Sequence, residues 1–295
     1  MNVQRIAQAV LLVLLAGPTS PDSSPALAGI AHVAFRVTDV QKSRAFYRAL
    51  GFEQAFEFAD PGKPLVSYVK INDRQFIELY GRAEDSQSTG LMHVCYEASD
   101  IETLWREYAQ QGLNPPASKK ARAGNLLFMF RDPEGQLLEY TQYLPGSLHF
   151  EDRGKHLGDR RVSEHLLRAV IAVKDTKAEE SFYTSELSFE NIDGVGGGVR
   201  VDGSETIRLR LPGTSGEEIE LESATPMTKP RIVFTVGNLV QTADDLRSRG
   251  LTVKLVGDSV SVADPDGVLI VFTLAKNPHP AKSVDALDET SKIRK

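Results

Sequence analysis

The sequence predicts an α+β protein built from a repeated strand–helix–strand unit, and three observations carry that prediction. His32 and His93 are each followed by a glutamate, Glu78 and Glu139, at a spacing of 46 residues, and the second pair repeats the first 61 residues further on. Each histidine sits in a short β-branched and aromatic run, residues 30–37 and 91–96, that leads through an aspartate into a helical pattern. The second half of the chain then passes through the same order of elements again. A repeat that returns metal-ligating residue types at both marked positions describes two copies of one unit facing each other around a shared cation.

The elements follow in order. In the first unit Asp39 is a candidate N-cap, Phe46, Tyr47 and Leu50 recur on one helix face, and Gly51 stands where a C′ glycine ends a helix. In the second unit Asp100 takes the cap position, Ile101, Leu104, Trp105 and Tyr108 form the apolar stripe, and Gly112 closes it. The glutamates fall on the last strand of each unit. Strand alternation puts Phe76, Glu78 and Tyr80 on one face, and likewise Leu137, Glu139 and Thr141. A carboxylate in an apolar strand is costly to bury unless something pairs with it, and a divalent cation would satisfy both. The turn Asp132-Pro133-Glu134-Gly135 delivers Glu139 on a fixed hairpin.

With these residues in place, the chain resembles the vicinal oxygen chelate superfamily, which includes glyoxalase I, methylmalonyl-CoA epimerase, fosfomycin-resistance proteins and extradiol dioxygenases, over about residues 29 to 275. The resemblance implies four βαβββ units paired into two cupped eight-stranded barrels. It also implies that His32, Glu78, His93 and Glu139 are the metal ligands, and that Glu78 or Glu139 can act as the catalytic base. The His/Glu/His/Glu set is most similar to bacterial glyoxalase I, since the dioxygenases and fosfomycin enzymes use two histidines and one glutamate. Arg36, four residues after His32 and on the same strand face, resembles an arginine that holds a substrate carboxylate in glyoxalase I.

The second half keeps the architecture and loses the ligands. Aligning Asp175 with Asp39, Asn238 with Asp100 and the Asp264-Pro265-Asp266-Gly267 turn with its predecessor puts Arg168, Glu220, Arg231 and Val271 at the four ligand positions. A guanidinium stays protonated and has no acceptor, so this half cannot hold a cation there. Glu220 is expected to pair with an arginine, and the half to serve as a structural platform. The lesser readings are that it covers the mouth of the active barrel, or that Arg168 and Arg231 bind an anion, which Arg231→Ala would weaken.

Composition and ends bound the rest. The 295 residues, 41% hydrophobic and 25% charged, suit two globular domains, and the net charge of −6 without basic clusters argues against nucleic acid or an anionic membrane as partner. Residues 1–28 read as a signal peptide: Arg5, an apolar run to Ala16 too short to span a bilayer, and the A-x-A site Ala26-Leu27-Ala28. The expected organisation is a metal-binding domain at 29–145, a linker at 146–164, a degenerate domain at 165–275 and a disordered tail at 276–295. The expected location is secreted or periplasmic, with no stable membrane insertion after cleavage; a homodimer is left open. The lone cysteine, Cys95, excludes an intramolecular disulfide and, two residues after His93, should point into the same cavity as a small buried apolar group. The linker histidines His149 and His156 are expected to be solvated or to cap neighbouring backbone.

The function expected from the tetrad is that of an exported, glyoxalase-like lyase or isomerase. One divalent ion, nickel, cobalt, manganese, iron or zinc, would stabilise an enediolate of a small hydroxycarbonyl substrate. The alternatives are an Fe(II) extradiol-type dioxygenase using His32, His93 and Glu139, and a non-catalytic binding protein resembling the bleomycin-resistance proteins. Export argues against a glutathione substrate.

Overall fold

The computed structural model describes residues 27–194, 197–200, 203–213, 215–226 and 228–275; most of the expected signal segment and the whole expected tail lie outside them. The first half runs β1 (Leu27–Val37), α1 (Val40–Ala49), β2 (Glu53–Phe58), β3 (Val66–Lys70), β4 (Phe76–Gly81), then β5 (Gly90–Ala98), α2 (Ile101–Gln110), β6 (Lys119–Lys120), β7 (Leu126–Arg131) and β8 (Leu137–Gln142). These are two βαβββ units. They form one eight-stranded sheet in the order β2-β3-β4-β1-β5-β8-β7-β6. At its centre β1 and β5 run antiparallel, and each lies parallel to the last strand of its own unit, β4 or β8. The four strands that carry His32, Glu78, His93 and Glu139 are therefore neighbours.

After α3 (Leu148–Glu151) the order recurs: β9 (Leu166–Val173), α4 (Thr176–Ser185), β10 (Glu190–Asn191), β11 (Gly198–Val199), β12 (Glu205–Arg210), β13 (Glu218–Ser223), β14 (Arg231–Val236), α5 (Leu239–Ser248), β15 (Lys254–Val256), β16 (Ser259–Ala263) and β17 (Leu269–Leu274). Two expectations need correction. Neither sheet closes into a barrel: both are cupped and open, the first between β2 and β6. The second sheet has nine strands, because β11 adds to β12.

The helix starts are those the sequence marks. Asp39, Asp100, Asp175 and Asn238 each cap a helix, with the side chain accepting backbone N–H groups of the first turn. One continuous apolar core then runs through both halves, where Phe52 stacks on Phe234 at 5.4 Å and Tyr96 meets Phe189 edge-on at 5.6 Å.

The polar seam between the halves is crossed. Asp266, in the second half's turn, accepts the Thr38 N–H at 3.0 Å and the Thr38 hydroxyl at 2.5 Å, just before α1. Glu134, in the first half's turn, accepts the Lys174 and Asp175 N–H groups at 2.7 Å, just before α4. Tyr183 of α4 donates to Asp132 at 3.2 Å. Burial, and then the facing Asp264 carboxylate, push the Tyr47 phenol of α1 well above its ordinary pKa.

The join at the N-terminus falls earlier than expected. β1 begins at Leu27, which is buried and donates its N–H to the Pro212 carbonyl. Two residues on, Gly29 has φ +143°, a backbone conformation that side-chain-bearing residues rarely adopt and that favours glycine.

The expected linker is also structured. Ser147 caps α3, and the fully buried Lys70 ammonium binds the Asp152 carboxylate and the Asp73 carboxylate, each at 2.8 Å. Asp73 in turn accepts the Gly154 N–H at 2.8 Å. His149 is therefore buried, contrary to expectation, whereas the half-exposed His156 bonds Asp152 at 2.5 Å.

Candidate metal centre

The structure brings all four predicted ligands together. His32 Nε2 lies 3.1 Å from His93 Nε2, 3.4 Å from Glu78 Oε1 and 3.6 Å from Glu139 Oε1. His93 Nε2 lies 4.0 Å from Glu78 Oε2 and 3.7 Å from Glu139 Oε2. Donor atoms bound octahedrally at about 2.1 Å from a common centre stand about 3.0 Å apart when adjacent and about 4.2 Å when opposite. The separations fit that range. All four side chains are buried, with His32 2% and Glu139 6% exposed. Nitrogen and carboxylate donors in this mixture suit a borderline divalent ion.

The register explains the convergence. His32 pairs with Phe76 and Ala34 with Glu78 across β1 and β4, while His93 pairs with Leu137 and Cys95 with Glu139 across β5 and β8. Each unit thus presents its histidine and glutamate two residues out of step, and the antiparallel β1–β5 pair sets the two units face to face.

The electrostatics are those of a cation site. Burial, and then the charges of His93 and His149, hold the His32 imidazole well below its usual pKa, and burial brings His93 down to about 4. Burial pushes Glu139 up to about 7. Burial and the neighbouring Glu139 push Glu78 well above the carboxylate range, opposed by hydrogen bonds from Tyr80 and Tyr68. The Tyr80 hydroxyl donates to Glu78 Oε2 at 2.9 Å. A cation favours the ionised carboxylates and neutral imidazoles, so its uptake would release protons from this cluster.

Cys95 points into the cavity as expected, with Sγ 3.4 Å from Glu139 Oε1. Burial, followed by the charges of Glu139 and Glu78, pushes its pKa well above the thiol value, so it stands as a thiol donating to Glu139. It also belongs to a small apolar cluster with Ala31, Phe76 and Tyr143. Arg36 is placed opposite Tyr80 in the β1–β4 register and donates to the Ser88 carbonyl at 3.4 Å.

In the second half the alignment is borne out by the register: Arg168 pairs with Glu218 as His32 does with Phe76, and Arg231 pairs with Leu269 as His93 does with Leu137. Glu220 does pair with arginine, contacting Arg168 and Arg200 closely and Arg231 at 3.5 Å. Arg168 also bonds Glu218 at 2.9 Å, and Arg231 bonds Glu222 at 2.5 Å. These guanidinium groups are engaged by carboxylates.

Comparisons agree with this geometry. Residues 29–140 match the family model of the Glyoxalase/Bleomycin resistance protein/Dioxygenase superfamily. No curated protein matches the chain by sequence. Among solved structures, the 2,3-dioxygenase LapB from Pseudomonas sp. KL28 is 14% identical, with TM-score 0.63 over 88% of this chain and 96% of its own. The Mn(II)-bound glyoxalase from Novosphingobium aromaticivorans is 15% identical, with TM-score 0.63 over 84% and 82%. A catechol 2,3-dioxygenase is 16% identical, with TM-score 0.65 over 87% and 91%. At these identities the likeness is one of fold, and it spans both halves. Residues 29–140, then, are similar to the Glyoxalase/Bleomycin resistance protein/Dioxygenase superfamily, and the two halves together share the fold of these dioxygenase and glyoxalase structures.

Proposed function

We propose that the N-terminal cup is the active site of a glyoxalase-type lyase or isomerase acting on a small hydroxycarbonyl compound. The observation that carries this reading is the fourth donor: Glu78 stands 3.4 Å from His32 Nε2, within the donor cluster. A bound divalent ion would supply Lewis-acid polarisation of neighbouring substrate oxygens. The chain's own residues divide the remaining work. Glu139, 3.6 Å from His32 Nε2 and 3.7 Å from His93 Nε2, is placed to accept and return a proton of a substrate held at the ion. Glu78 is held in orientation by the Tyr80 hydroxyl. The burial of all four ligands keeps bulk water from the proton in transit. Arg36 would hold an anionic group of the substrate near the Tyr80 end of β4. We also read residues 1–28 as an export signal.

A second reading, ring cleavage with O2 on an Fe(II) centre, has its own observation. The Tyr80 bond occupies Glu78 Oε2, and withdrawal of Glu78 leaves the two-histidine, one-carboxylate set His32, His93 and Glu139. Metal analysis of the purified protein followed by parallel assays separates the two. Loss of isomerisation in Glu78→Gln supports the first, and catechol-dependent oxygen uptake that survives Glu78→Gln overturns it in favour of the second.

A further inference from the structure

We propose that His149 is a positioning residue for the metal centre, holding the His32 ring from behind so that Nε2 is the nitrogen turned to the ion. The inference rests on the reading of the tetrad as a metal site.

His149 is 2% exposed, and neither ring nitrogen has a hydrogen-bond partner among the described residues. Its ring stacks on Tyr143 at 4.4 Å and 15°, and meets Phe76 at 4.9 Å, Phe56 at 5.0 Å and Tyr68 at 5.4 Å edge-on. A phenyl ring would fill such a cage without leaving two buried polar atoms unsatisfied.

The cage is built on the strands that carry the site. Phe76 pairs with His32 in register, Tyr68 pairs with Glu78, and Cys95, which clusters with Phe76 and Tyr143, pairs with His32 from the other side. His149 thus closes the end of the cup next to His32. His32 spends its Nε2 edge on His93, Glu78 and Glu139. Its Nδ1, on the opposite side of the ring, is buried and also without a partner.

A neutral imidazole has one donor and one acceptor nitrogen. When His32 offers the Nε2 lone pair to an ion, its Nδ1 carries the hydrogen, and His149 supplies the acceptor across one water. The buried Lys70 ion pairs with Asp73 and Asp152 fix the segment that holds His149, so this support is rigid.

The test compares His149→Phe, which fills the cage, with His149→Gln, which keeps an acceptor. Zinc alone is titrated into chelator-stripped full-length protein against a chromophoric competitor. The expected result is one ion per chain throughout, with affinity weakened about 10- to 100-fold in His149→Phe and largely recovered in His149→Gln. Imidazole nitrogen-15 shifts of the zinc-free wild type should put the His32 hydrogen on Nδ1, a preference lost in His149→Phe. Equal affinity and unchanged His32 shifts in His149→Phe overturn this inference alone. Should the variants not fold, a wild-type His32 hydrogen on Nε2 overturns it. A wild type that takes up no zinc overturns both it and the metal reading.

Discussion

In the N-terminal cup His32, Glu78, His93 and Glu139 converge with no permanent positive charge among them; in the C-terminal cup the same register positions hold Arg168, Glu220, Arg231 and Val271. A buried carboxylate is common to both. What differs is its partner: an exchangeable ion in the first reading, and in the second a guanidinium that cannot leave. The arginines bring a network with them, since Glu220 is shared by Arg168, Arg200 and Arg231 and flanked by Glu218 and Glu222. Covalent attachment of the positive charge fixes the cup's electrostatics and leaves the Glu220 carboxylate paired within the chain.

The largest break in this comparison comes from His93→Ala. It should reduce metal content from about one ion per chain to near zero by mass spectrometry and lower turnover by at least about a thousandfold, whereas Arg231→Ala should leave the ion in place. Next in size is Glu220→Ala, which strips the shared acceptor from three arginines. Urea unfolding should record a loss of about 3–5 kcal/mol, with zinc affinity unchanged.

The cups should also answer pH in opposite senses. In ion-free protein the raised pKa values of Glu78 and Glu139 mean that the folded state binds protons the unfolded state has already released. Their contribution to stability is full below the ordinary glutamate pKa; that of Glu139 is lost as pH rises through about 7, and that of Glu78 as pH rises through its own raised folded pKa. For Glu220, burial pushes its pKa up but the charges of Arg168 and Arg200 outweigh it, and the pKa is lowered. Its contribution is present above the ordinary glutamate range and is lost as pH falls through its folded pKa. Above about pH 6.5, where the depressed His32 and His93 no longer pull the other way, the ion-free thermal midpoint should therefore fall, by the equivalent of a few kcal/mol at most, and Glu139→Gln should flatten that limb. A midpoint that rises over this range would contradict the assignment.

The smallest effect concerns the seam itself. Chains beginning at Gly29 rather than Leu27 lose a buried leucine, the Leu27 bond to Pro212 and the Ala28 carbonyl that Arg74 contacts. Paired thermal melts should show a deficit of about 2 kcal/mol. If the chain is exported as proposed, N-terminal sequencing would show on which side of Leu27 processing falls.

Much of the site could be read in the sequence because it depends on local rules. Strand alternation places Glu78 and Glu139, side-chain capping marks all four long helices, and the repeated turns align Arg168 and Arg231 with His32 and His93. His149 could not be read this way. Its burial is imposed by the pairing of Lys70 with Asp152, 82 residues apart, and spacing carries no trace of that contact. The one available signal was a lysine in the apolar run of β3, which must find a buried anion. The open sheets escaped for a related reason: β6 and β15 are short edge strands, and whether an edge meets its opposite depends on curvature summed over the whole sheet.

The crossed turns bear on how such a chain evolves. Because Asp266 serves the start of α1 and Glu134 serves the start of α4, each copy of the duplication supplies a part that the other lacks. Deleting the second copy would strip the first helix of its anchor and bare the Phe52 ring. A copy without the ligand set is then retained by mutual dependence, since neither helix keeps its anchor alone.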